Sequence, residues 1–517
     1  MKFIQGHDRT QTHLFPVSLD QSIDADSEVR LIDLFVDSLV LEEYGFKTDF
    51  IENGRPAYHP SDLLKLYIYG YLNKTRSSRD LEKACKINIE VIWLLKTLQP
   101  DHNTISNFRR DNPKAIKQVF RTTVQLAKHF NLIGGKLIAG DSSKFRAQNS
   151  KKNNFNPKKI ERHIAYIDKK IAEHNEALAA ADEDRKAQIK KEIEKQNQRK
   201  ATYKELEKQL EESGDTQVST SDPDSRNIMI RNNICEVAYS AQTTVDAKNN
   251  LLIDYKLCNT NDTKAMGCML TRAVAIVGNT NFTALYDKGY YDGPGLKTAF
   301  DLGVKTIVAV RGLASSSRAP DVNYNVKHFE YNQINDTYTC PEGQILKTSG
   351  VWYQNKNAKF KQYKTKACLN CKARKKCTKS KTGKLISRSQ YNWYYERNQK
   401  LVDDNKTLYK QRQAIVEHPY GTIKRQWGFS YISTKRGITR ASADVGLMFA
   451  AYNFRRLINL IGKEELTKYL RILAFWFYTN IAPIRATLSL FSESLFSGRI
   501  KGDFTMNVAN QLKFTPQ

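Results

Sequence analysis

The stretch from Phe282 to Gly293, FTALYDKGYYDG, constrains the fold of this chain more than any other, because it ends a short apolar segment on an aspartate. The residues before Asp287 favour a buried strand, and the glycines after it favour a tight turn. In α/β folds the carboxyl ends of strands carry the chemistry, so Asp287 is a candidate site residue. An aspartate before a glycine turn is also common in ordinary loops, so this interpretation depends on further carboxylates.

Two further carboxylates lie in segments of suitable pattern. Asp141 ends a similar strand, predicted over residues 136–147 with KLIAGDSSKF, and Glu417 lies in a helix-like segment, YKQRQAIVEHPYGTIKR. Phosphodiester cleavage by two divalent ions needs carboxylates that the fold brings together, because Mg²⁺ prefers oxygen ligands. We therefore predict that Asp141, Asp287 and Glu417 converge on one metal site, although each of them alone is more typical of a cap or a surface residue.

The elements around these carboxylates follow an order that predicts the fold class. After the strand with Asp141 come a long insertion, a hairpin that turns at Lys248–Asn250, a helix, the strand that ends at Asp287, a helix, and the strand Lys305–Val310. Together with a later helix that carries Glu417, this is the ribonuclease H order of elements. We predict an α/β protein with a ribonuclease H-like mixed-sheet core.

Two insertions and an all-α N-terminal domain complete the predicted architecture. Apolar residues at three- and four-residue steps predict a helical hairpin or short coiled coil that breaks near residues 181–184, with one continuous helix as the alternative. The predicted domains are a helical N-terminal DNA-binding domain at 1–130, the first part of the core at 131–150, the helical insertion at 151–215, the core again at 227–310, a small cysteine-bearing insertion at 311–395, and the last part of the core with the C-terminal helices at 396–495.

The N-terminal region reads as short helices joined by tight turns, and the last of these helices carries Arg109 and Arg110. This pattern resembles a helix-turn-helix that reads DNA, in which case Arg109 and Arg110 would contact DNA. A plain helical bundle with a solvated basic face explains the same pattern equally well. Both interpretations stay open at this point.

The net charge indicates the class of partner. Lys and Arg number 82 against 54 Asp and Glu, which gives a formal charge of +28. Nucleic acid is the commonest partner of so basic a chain, and an anionic membrane surface is the competing one. No apolar run approaches the ~18 residues of a membrane-spanning helix, and the N-terminus, MKFIQGHDRT, lacks the apolar region of a secretion signal. We expect a cytoplasmic protein that acts on nucleic acid.

Four of the eight cysteines cluster in the second insertion, namely Cys340, Cys368, Cys371 and Cys377. Four thiolates can close a tetrahedral shell around one Zn²⁺, and a closed shell makes a structural site. The spacing is irregular, because Cys340 stands alone and five residues separate Cys371 from Cys377. Structural zinc and ordinary reduced thiols both stay open, whereas a disulfide framework is disfavoured in a cytosolic protein.

Five motifs in this order resemble a bacterial insertion-sequence transposase of the DDE class: YHPSDLLKLYIYGYL, TISNFRR, IAGDSSKFRAQNS, ALYDKGYYDG and VEHPYGTIKRQWG. The likeness extends over nearly the whole chain, and it is to the branch with a helical N-terminal domain and a cysteine-bearing insertion before the glutamate. It implies that Asp141, Asp287 and Glu417 are the catalytic triad and hold Mg²⁺ or Mn²⁺. It also implies double-stranded DNA partners (the element's terminal inverted repeats and the target), a homodimer in the DNA complex, and association with the bacterial nucleoid.

The related signature around the glutamate, Tyr-x2-Arg-x3-Glu-x6-Lys, fits in part. The spacing from Tyr409 to Arg412 matches the signature, and so does the spacing from Glu417 to Lys424. However, four residues separate Arg412 from Glu417, where the signature has three. On a regular helix this spacing turns Arg412 away from Glu417. The resemblance implies DNA contacts for Tyr409, Arg412 and Lys424, of which we favour Lys424, although Pro419 predicts that the helix ends before it.

The predicted function is therefore DNA cleavage followed by transfer of the freed 3′-hydroxyl into target DNA, by two-metal phosphoryl transfer. Two other classes are alternatives. One is a non-catalytic DNA-binding protein derived from a transposase, against which the intact carboxylate set argues. The other is a nuclease of the ribonuclease H fold that hydrolyses DNA without joining it.

Overall fold

The structure is a computed structural model that describes residues 18–48, 56–231, 234–312, 318–355, 358–433 and 436–476. The start of the predicted N-terminal domain, and residues 477–495 of the predicted last domain, lie outside this range. The chain is a mixed α/β protein, as predicted. No helix in these ranges is long and apolar enough to cross a membrane.

The helices and strands have the following bounds. The α-helices are α1 (Glu28–Asp37), α2 (Leu41–Tyr44), α3 (Pro60–Leu72), α4 (Ser78–Ile87), α5 (Ile89–Leu94), α6 (His102–Asp111), α7 (Pro113–His129), α8 (Pro157–Ala179), α9 (Glu183–Ser213), α10 (Met266–Val277), α11 (Gly293–Asp301), α12 (Arg374–Cys377), α13 (Asn392–Asp404), α14 (Lys406–Tyr420), α15 (Ile438–Ile461) and α16 (Lys463–Trp476). The strands are β1 (Leu137–Arg146), β2 (Asn154–Phe155), β3 (Val218–Ser219), β4 (Arg226–Arg231), β5 (Ile234–Asp246), β6 (Leu251–Cys258), β7 (Thr283–Tyr286), β8 (Lys305–Val308), β9 (Glu330–Asn332), β10 (Thr337–Thr339), β11 (Ile345–Thr348), β12 (Tyr353–Gln354), β13 (Lys359–Lys364) and β14 (Ile386–Ser389).

The chain divides into two compact units, of which the first comprises residues 1–73, 78–105 and 457–517 and the second residues 74–77 and 106–456. The described part of the first unit is helical. Its helix α3 starts with Pro60 at the first helical position, where a missing N–H costs nothing, and is buried on most faces. The buried Tyr67 hydroxyl donates to the Ile105 carbonyl at 2.6 Å, which satisfies a polar group in this helical core.

The core sheet of the second unit has the order β4-β5-β1-β7-β8, and β6 pairs with β5 as well. Both β4 and β6 pair with β5 because this strand is long: β4 pairs with its first half and β6 with its second half. The contacts of β1 with β7 and of β7 with β8 are parallel, whereas β5 runs antiparallel to β1. Helices α10 and α11 connect the strands on the way from β6 to β8.

Asp141 lies in the middle of β1, not at the end of a strand as the sequence suggested. The parallel pairing with β7 reaches only Ala139, but β1 continues to Arg146 because β5 accompanies it, with Asp141 opposite Thr243. The strand predicted over residues 136–147 is therefore present, and only the position of Asp141 at its end is wrong, because pairing with β5 extends the strand through the polar residues after Asp141.

Two insertions depart from the core sheet. The first forms two helices, α8 and α9, which pack through Phe155, Ile160, Leu206 and Leu210. The hairpin is therefore present and the continuous-helix alternative is wrong. The second insertion contains a separate antiparallel sheet of β9 to β14, and Phe329, Tyr338, Leu346, Tyr363 and Ile386 form its buried cluster.

Candidate active site

One of the two predicted aspartates lies on β1, and the other directly follows the neighbouring parallel strand β7. Strands β1 and β7 run parallel with Ala139 opposite Leu285, and continuing this register by two residues puts Asp141 level with Asp287. Side chains two residues apart on a strand share a face, and neighbouring strands are ~4.8 Å apart. Asp141 and Asp287 therefore project from the same side of the sheet, where the parallel pairing ends.

Asp141 is held in an enclosed and negatively charged place, and its side chain is 23% exposed. Burial raises the pKa of its carboxyl to about 6. The Arg412 guanidinium and the Ser142 N–H, which donates to Oδ1 at 2.8 Å, oppose this rise in pKa, while the carboxylates of Asp287 and Asp262 add to it. Such a cluster of like charges favours uptake of either a proton or a cation.

Asp287 follows β7 directly and caps a short 3₁₀ turn, Lys288–Tyr290. Its Oδ1 accepts the Gly289 N–H at 2.7 Å, which fixes the carboxyl group at the sheet edge. A Cβ at residue 289 would lie 2.8 Å from this oxygen, so the glycine of the motif is required for this close approach. The glycine-containing turn that marked Asp287 in the sequence thus positions its side chain.

Helix α14 lies across these strands and brings Arg412 to the aspartates. The Tyr409 hydroxyl donates to the Tyr286 carbonyl at 3.1 Å, one residue before Asp287. One turn later, Arg412 Nη1 lies 3.5 Å from Asp141 Oδ2. Within the described part of the chain this buried nitrogen makes no hydrogen bond, so the contact is an ion pair of loose geometry.

The structure does not bring Glu417 to the aspartate pair. Its side chain is exposed and accepts a hydrogen bond from Gln413 Nε2 at 2.8 Å. Five residues on a helix turn the side chain about 140° from Arg412, as the sequence spacing predicted. Among residues whose placement the structure describes, no three His, Cys, Asp or Glu side chains form a group that could hold a metal ion.

The α-helix α14 ends at Tyr420, before Lys424 as the sequence predicts, but the helical path does not stop there. Pro419 lies inside α14, and the chain continues as a π-helical segment over Gly421–Gln426. Proline removes one backbone donor, and wider π turns of this kind occur frequently at functional sites. The continuation directs Lys424 back onto β1, where its Nζ donates to the Lys144 carbonyl at 2.7 Å.

Asp262 is a third aspartate close to the pair; in the sequence it competes with Asp141 for the first position, and Asp141 is preferred because its strand precedes the hairpin. Its carboxylate accepts hydrogen bonds from Lys144 Nζ at 2.8 Å and from Gln242 Nε2 at 2.7 Å. Burial alone would raise the pKa of Asp262, but the Lys144 charge and these hydrogen bonds lower it below the usual value. Asp262 is therefore ionised and already neutralised by Lys144. A signal in the sequence was its position four residues after the end of β6, at the start of the 3₁₀ turn Asp262–Lys264.

Arg109 is not a surface residue that could contact DNA, and this prediction is wrong. It is 4% exposed, donates to the Arg76 carbonyl at 3.3 Å, and has Nη1 3.6 Å from Asp444 Oδ1. Arg76 and Asp444 both lie far from Arg109 in the sequence, so the Arg109 charge is paired inside the protein. Arg110 lies at the surface and forms an ion pair with Asp111 at 2.6 Å, so its predicted DNA contact stays a prediction.

The four clustered cysteines lie together in the second insertion and apart from the core sheet. Cys340 follows β10, Cys368 and Cys371 lie in and after a 3₁₀ turn, and Cys377 ends α12. All four line one cavity of about 20 Å³. Their thiols are free in the structure.

Comparison with protein families finds two matches. Residues 17–111 match a family described as a transposase domain, and residues 339–458 match one described as a transposase DDE domain. The second match includes Glu417 and Lys424, whereas Asp141 and Asp287 precede it. No curated protein matches the chain.

Among solved structures, the cryo-EM structure of the piggyBac transposase synaptic complex with hairpin DNA matches at 11% sequence identity. The alignment covers 94% of this chain and 89% of that chain, with a TM-score of 0.30. A TM-score this low supports no argument about the fold. The likeness to transposases therefore rests on the two family matches, and these agree with the motifs found in the sequence.

Proposed function

This chain is a transposase of the DDE class, and from that premise we propose that it binds the terminal repeats of its own element, nicks the DNA to free a 3′-hydroxyl, and transfers that hydroxyl into target DNA. The observation that supports the proposal is that Asp141 lies on β1, that Asp287 directly follows the parallel neighbouring strand β7, and that the charge of Asp287 acts on Asp141. Two carboxylates converging at the end of a parallel strand pair provide the start of a two-metal site.

A ribonuclease H-like core is part of the proposal, and the strand order supports it. Taken in chain order, the core strands β1, β5, β6, β7 and β8 lie in the order third, second, first, fourth, fifth across the sheet. Only the second and third belong to an antiparallel hairpin, while the first, fourth and fifth are parallel. In this topology the first and fourth strands are the neighbours that carry the two aspartates.

Divalent metal is the general requirement of DDE transposase domains, and the carboxylates present here fit Mg²⁺ or Mn²⁺. Asp141 and Asp287 offer oxygen ligands, and because burial, together with the charges of Asp287 and Asp262, raises the pKa of Asp141, a bound cation would stabilise its ionised form. We propose Glu417 as the third ligand, since its exposed side chain lies on the helix that packs against β1 and β7. When bound, the ions activate the attacking oxygen and stabilise the leaving oxygen.

The other side chains of α14 and its π-helical extension position these carboxylates. Tyr409 ties the helix to the backbone before Asp287, and Lys424 ties it to the backbone after Asp141. Arg412 supplies a positive charge at Asp141. We propose that Arg412 exchanges Asp141 for a DNA phosphate when DNA and metal bind, because a guanidinium matches phosphate geometry.

Double-stranded DNA is the proposed partner, and charge supports a DNA-binding role for the second insertion. Residues 318–389 contain 16 Lys and Arg against 4 Asp and Glu, out of a net charge of +28 for the whole chain. Neutralising phosphates with such side chains makes binding fall steeply with salt. Joining two element ends requires both at once, so we propose a homodimer in the DNA complex. We further propose end recognition by the helices of 1–130 and Arg110.

The test is an assay of the purified protein on supercoiled plasmid that carries the element ends, with Mg²⁺ or with EDTA. We expect strand-transfer products with Mg²⁺ and none with EDTA. Asp287→Asn should abolish cutting and leave DNA retention unchanged, with Asp301→Asn as a matched surface control. Cleavage without joining would indicate a nuclease, and retention without cutting would indicate a binding protein. Cutting that persists in Asp287→Asn would overturn the site.

A further inference from the structure

The second insertion has too small an apolar core for its size. Its sheet of six short strands covers one buried cluster of five residues, described above. Domains below ~70–80 residues with few buried side chains usually need a disulfide, a metal or another covalent or coordinate link. The cysteines Cys340 and Cys377 pack directly against this cluster, at the point where such a link would act.

The four cysteines come from three separate segments and meet at one cavity. Cys340 follows β10, Cys368 and Cys371 have C-x2-C spacing, and Cys377 ends α12. The cavity they line measures about 20 Å³, which is enough for roughly one water molecule or one ion. Gly383, at φ +94°, packs against Cys368 so closely that a Cβ there would lie 2.6 Å from the Cys368 Cβ. The loop that carries Gly383 thus closes over the cysteines.

The turn after Cys340 has the geometry that stabilises a thiolate. In the sequence Cys340-Pro-Glu-Gly-Gln, the backbone N–H of Gln344 points at the Cys340 sulfur, with N···Sγ 3.3 Å. The Gly343 N–H donates to the Cys340 carbonyl at 2.8 Å, and Gly343 takes φ +75° to make this turn. Backbone N–H groups that donate to sulfur are the outer-shell contacts that hold a metal-bound thiolate in place.

The charges around the cluster fit a thiolate site that holds a cation. Arg374 and Lys384 line the same cavity as the four cysteines, so positive charge lies beside the sulfurs. Four thiolates around one Zn²⁺ leave a net charge of about −2. The excess of Lys and Arg in residues 318–389 compensates such a charge.

We propose that Cys340, Cys368, Cys371 and Cys377 bind one Zn²⁺ as a closed, structural, non-catalytic site that holds the second insertion together. No three metal-ligating side chains among the placed residues stand close enough to hold an ion as they are. Binding therefore draws the sulfurs inward onto the ion, and metal binding is coupled to the final packing of the insertion. The site goes beyond the proposed function, since it involves neither Asp141 nor Asp287.

The test is metal analysis of the full chain, purified without chelator from cells supplied with zinc. We expect about one zinc per chain in the wild type and in Cys268→Ser, an exposed cysteine outside the insertion. The double variant Cys368→Ser/Cys371→Ser should lose at least about four-fifths of the zinc. Zinc content is measured independently of DNA cutting, so this result and the cleavage assay can fail separately.

A second measurement avoids dependence on a variant that fails to fold. Wild-type protein is titrated with an organomercurial while a chromogenic chelator reports released zinc. We expect release of one zinc as four thiols react, and protease cleavage within residues 318–389 to become faster as zinc leaves. Wild-type protein without zinc, or zinc that the double variant retains, would overturn the proposal.

Discussion

The aspartate cluster on the core sheet and the second insertion carry opposite charge. The core brings Asp141, Asp262 and Asp287 into one electrostatic cluster, whereas residues 318–389 hold 16 Lys and Arg against 4 Asp and Glu. The predicted DNA-binding region at 1–130 differs from both, with 18 Lys and Arg against 17 Asp and Glu. A carboxylate cluster repels DNA until cations neutralise it, while a basic surface attracts DNA without sequence preference. We therefore expect DNA cutting and DNA affinity to depend on different regions, so that each can be changed separately.

The largest expected effect on DNA cleavage comes from removing one carboxylate of the core. Glu417→Gln should lower cleavage by at least about 10³-fold, because a metal ligand supplies several kcal/mol of transition-state stabilisation. Asp262→Asn should lower it about tenfold or less, since Lys144 and Gln242 already occupy the Asp262 carboxylate. Plasmid cleavage rates at saturating Mg²⁺ measure both.

The expected results for the two variants are reversed if Asp262, and not Glu417, is the third metal ligand. Full cleavage activity in Glu417→Gln, together with no activity in Asp262→Asn, would identify Asp262 as the third metal ligand beside Asp141 and Asp287. DNA retention by both variants checks that they are folded. Retention should be no weaker than that of the wild type in either case, because each substitution removes a negative charge and the acids of the core do not bind phosphate directly.

The next largest effect is expected in the second insertion, where substitutions should lower DNA affinity without affecting cleavage chemistry. The variant replaces by Gln four exposed lysines around the cysteines: Lys372, Lys375, Lys376 and Lys379. We expect DNA affinity to fall about 10- to 100-fold at 0.1 M salt, and the slope of log K against log [salt] to decrease by about 3 to 4 units. Fluorescence anisotropy with duplex DNA at several salt concentrations measures both quantities.

A matched control comes from the helical hairpin, where residues 157–213 contain 14 Lys and Arg against 13 Asp and Glu. The control replaces four exposed lysines of α9 by Gln: Lys190, Lys191, Lys195 and Lys204. Its affinity should change less than about twofold. An equal loss in both variants would mean that total charge governs affinity, and that the insertion has no special role.

A smaller effect concerns the stability cost of the acidic cluster. The folded-state pKa of Asp141 is raised from 3.8 to about 6, so ionised Asp141 destabilises the fold at neutral pH, and this cost disappears as pH falls through 6 towards 4. Asp141→Asn should therefore stabilise the protein in EDTA at pH 7.5 by on the order of 1–3 kcal/mol. Thermal unfolding followed from pH 4.5 to 7.5 measures the difference.

The shape of the pH dependence discriminates this cause from a change in packing. The gain in Asp141→Asn should shrink steadily below pH 6, and Mg²⁺ should stabilise only the wild type. Asp301→Asn, at an exposed site on α11, serves as the control and should show no such trend. A gain that is constant across pH would attribute the effect to packing.

The pairing of Asp141 with Asp287 could be predicted from the sequence because both follow apolar strand segments, and adjacent parallel strands are the simplest way to join them. The order of elements also led to the hairpin of β5 and β6 and to the helical insertion. These features depend on local pattern and on short connections, which a sequence records directly.

Other features depended on contacts that no local pattern contains. Arg109 looked like a surface cation, but the buried Asp444 lies far along the chain and pairs with it. Asp262 competed with Asp141 in the sequence but was not expected beside it, because their proximity arises from how the chain after β6 returns to the sheet. The helix spacing separated Arg412 from Glu417 correctly, yet it could not tell which of the two faces the strands, since both flanks of α14 are polar.

The smallest predicted effect tests whether Arg412 acts through Asp141. The positive charge of Arg412 lies 3.5 Å from the Asp141 carboxylate and lowers the pKa of that group. Arg412→Gln removes this charge. The variant should destabilise the fold in EDTA by about 1 kcal/mol at pH 7.5, where Asp141 is ionised, and by much less at pH 5, where it is protonated. In the Asp141→Asn background the effect should vanish, because no charge remains to pair. Lys410→Gln, an exposed cation on the same helix, should show no dependence on pH or on Asp141. Equal destabilisation by Arg412→Gln in both backgrounds would show that Arg412 supports α14 by packing and does not act on the carboxylate.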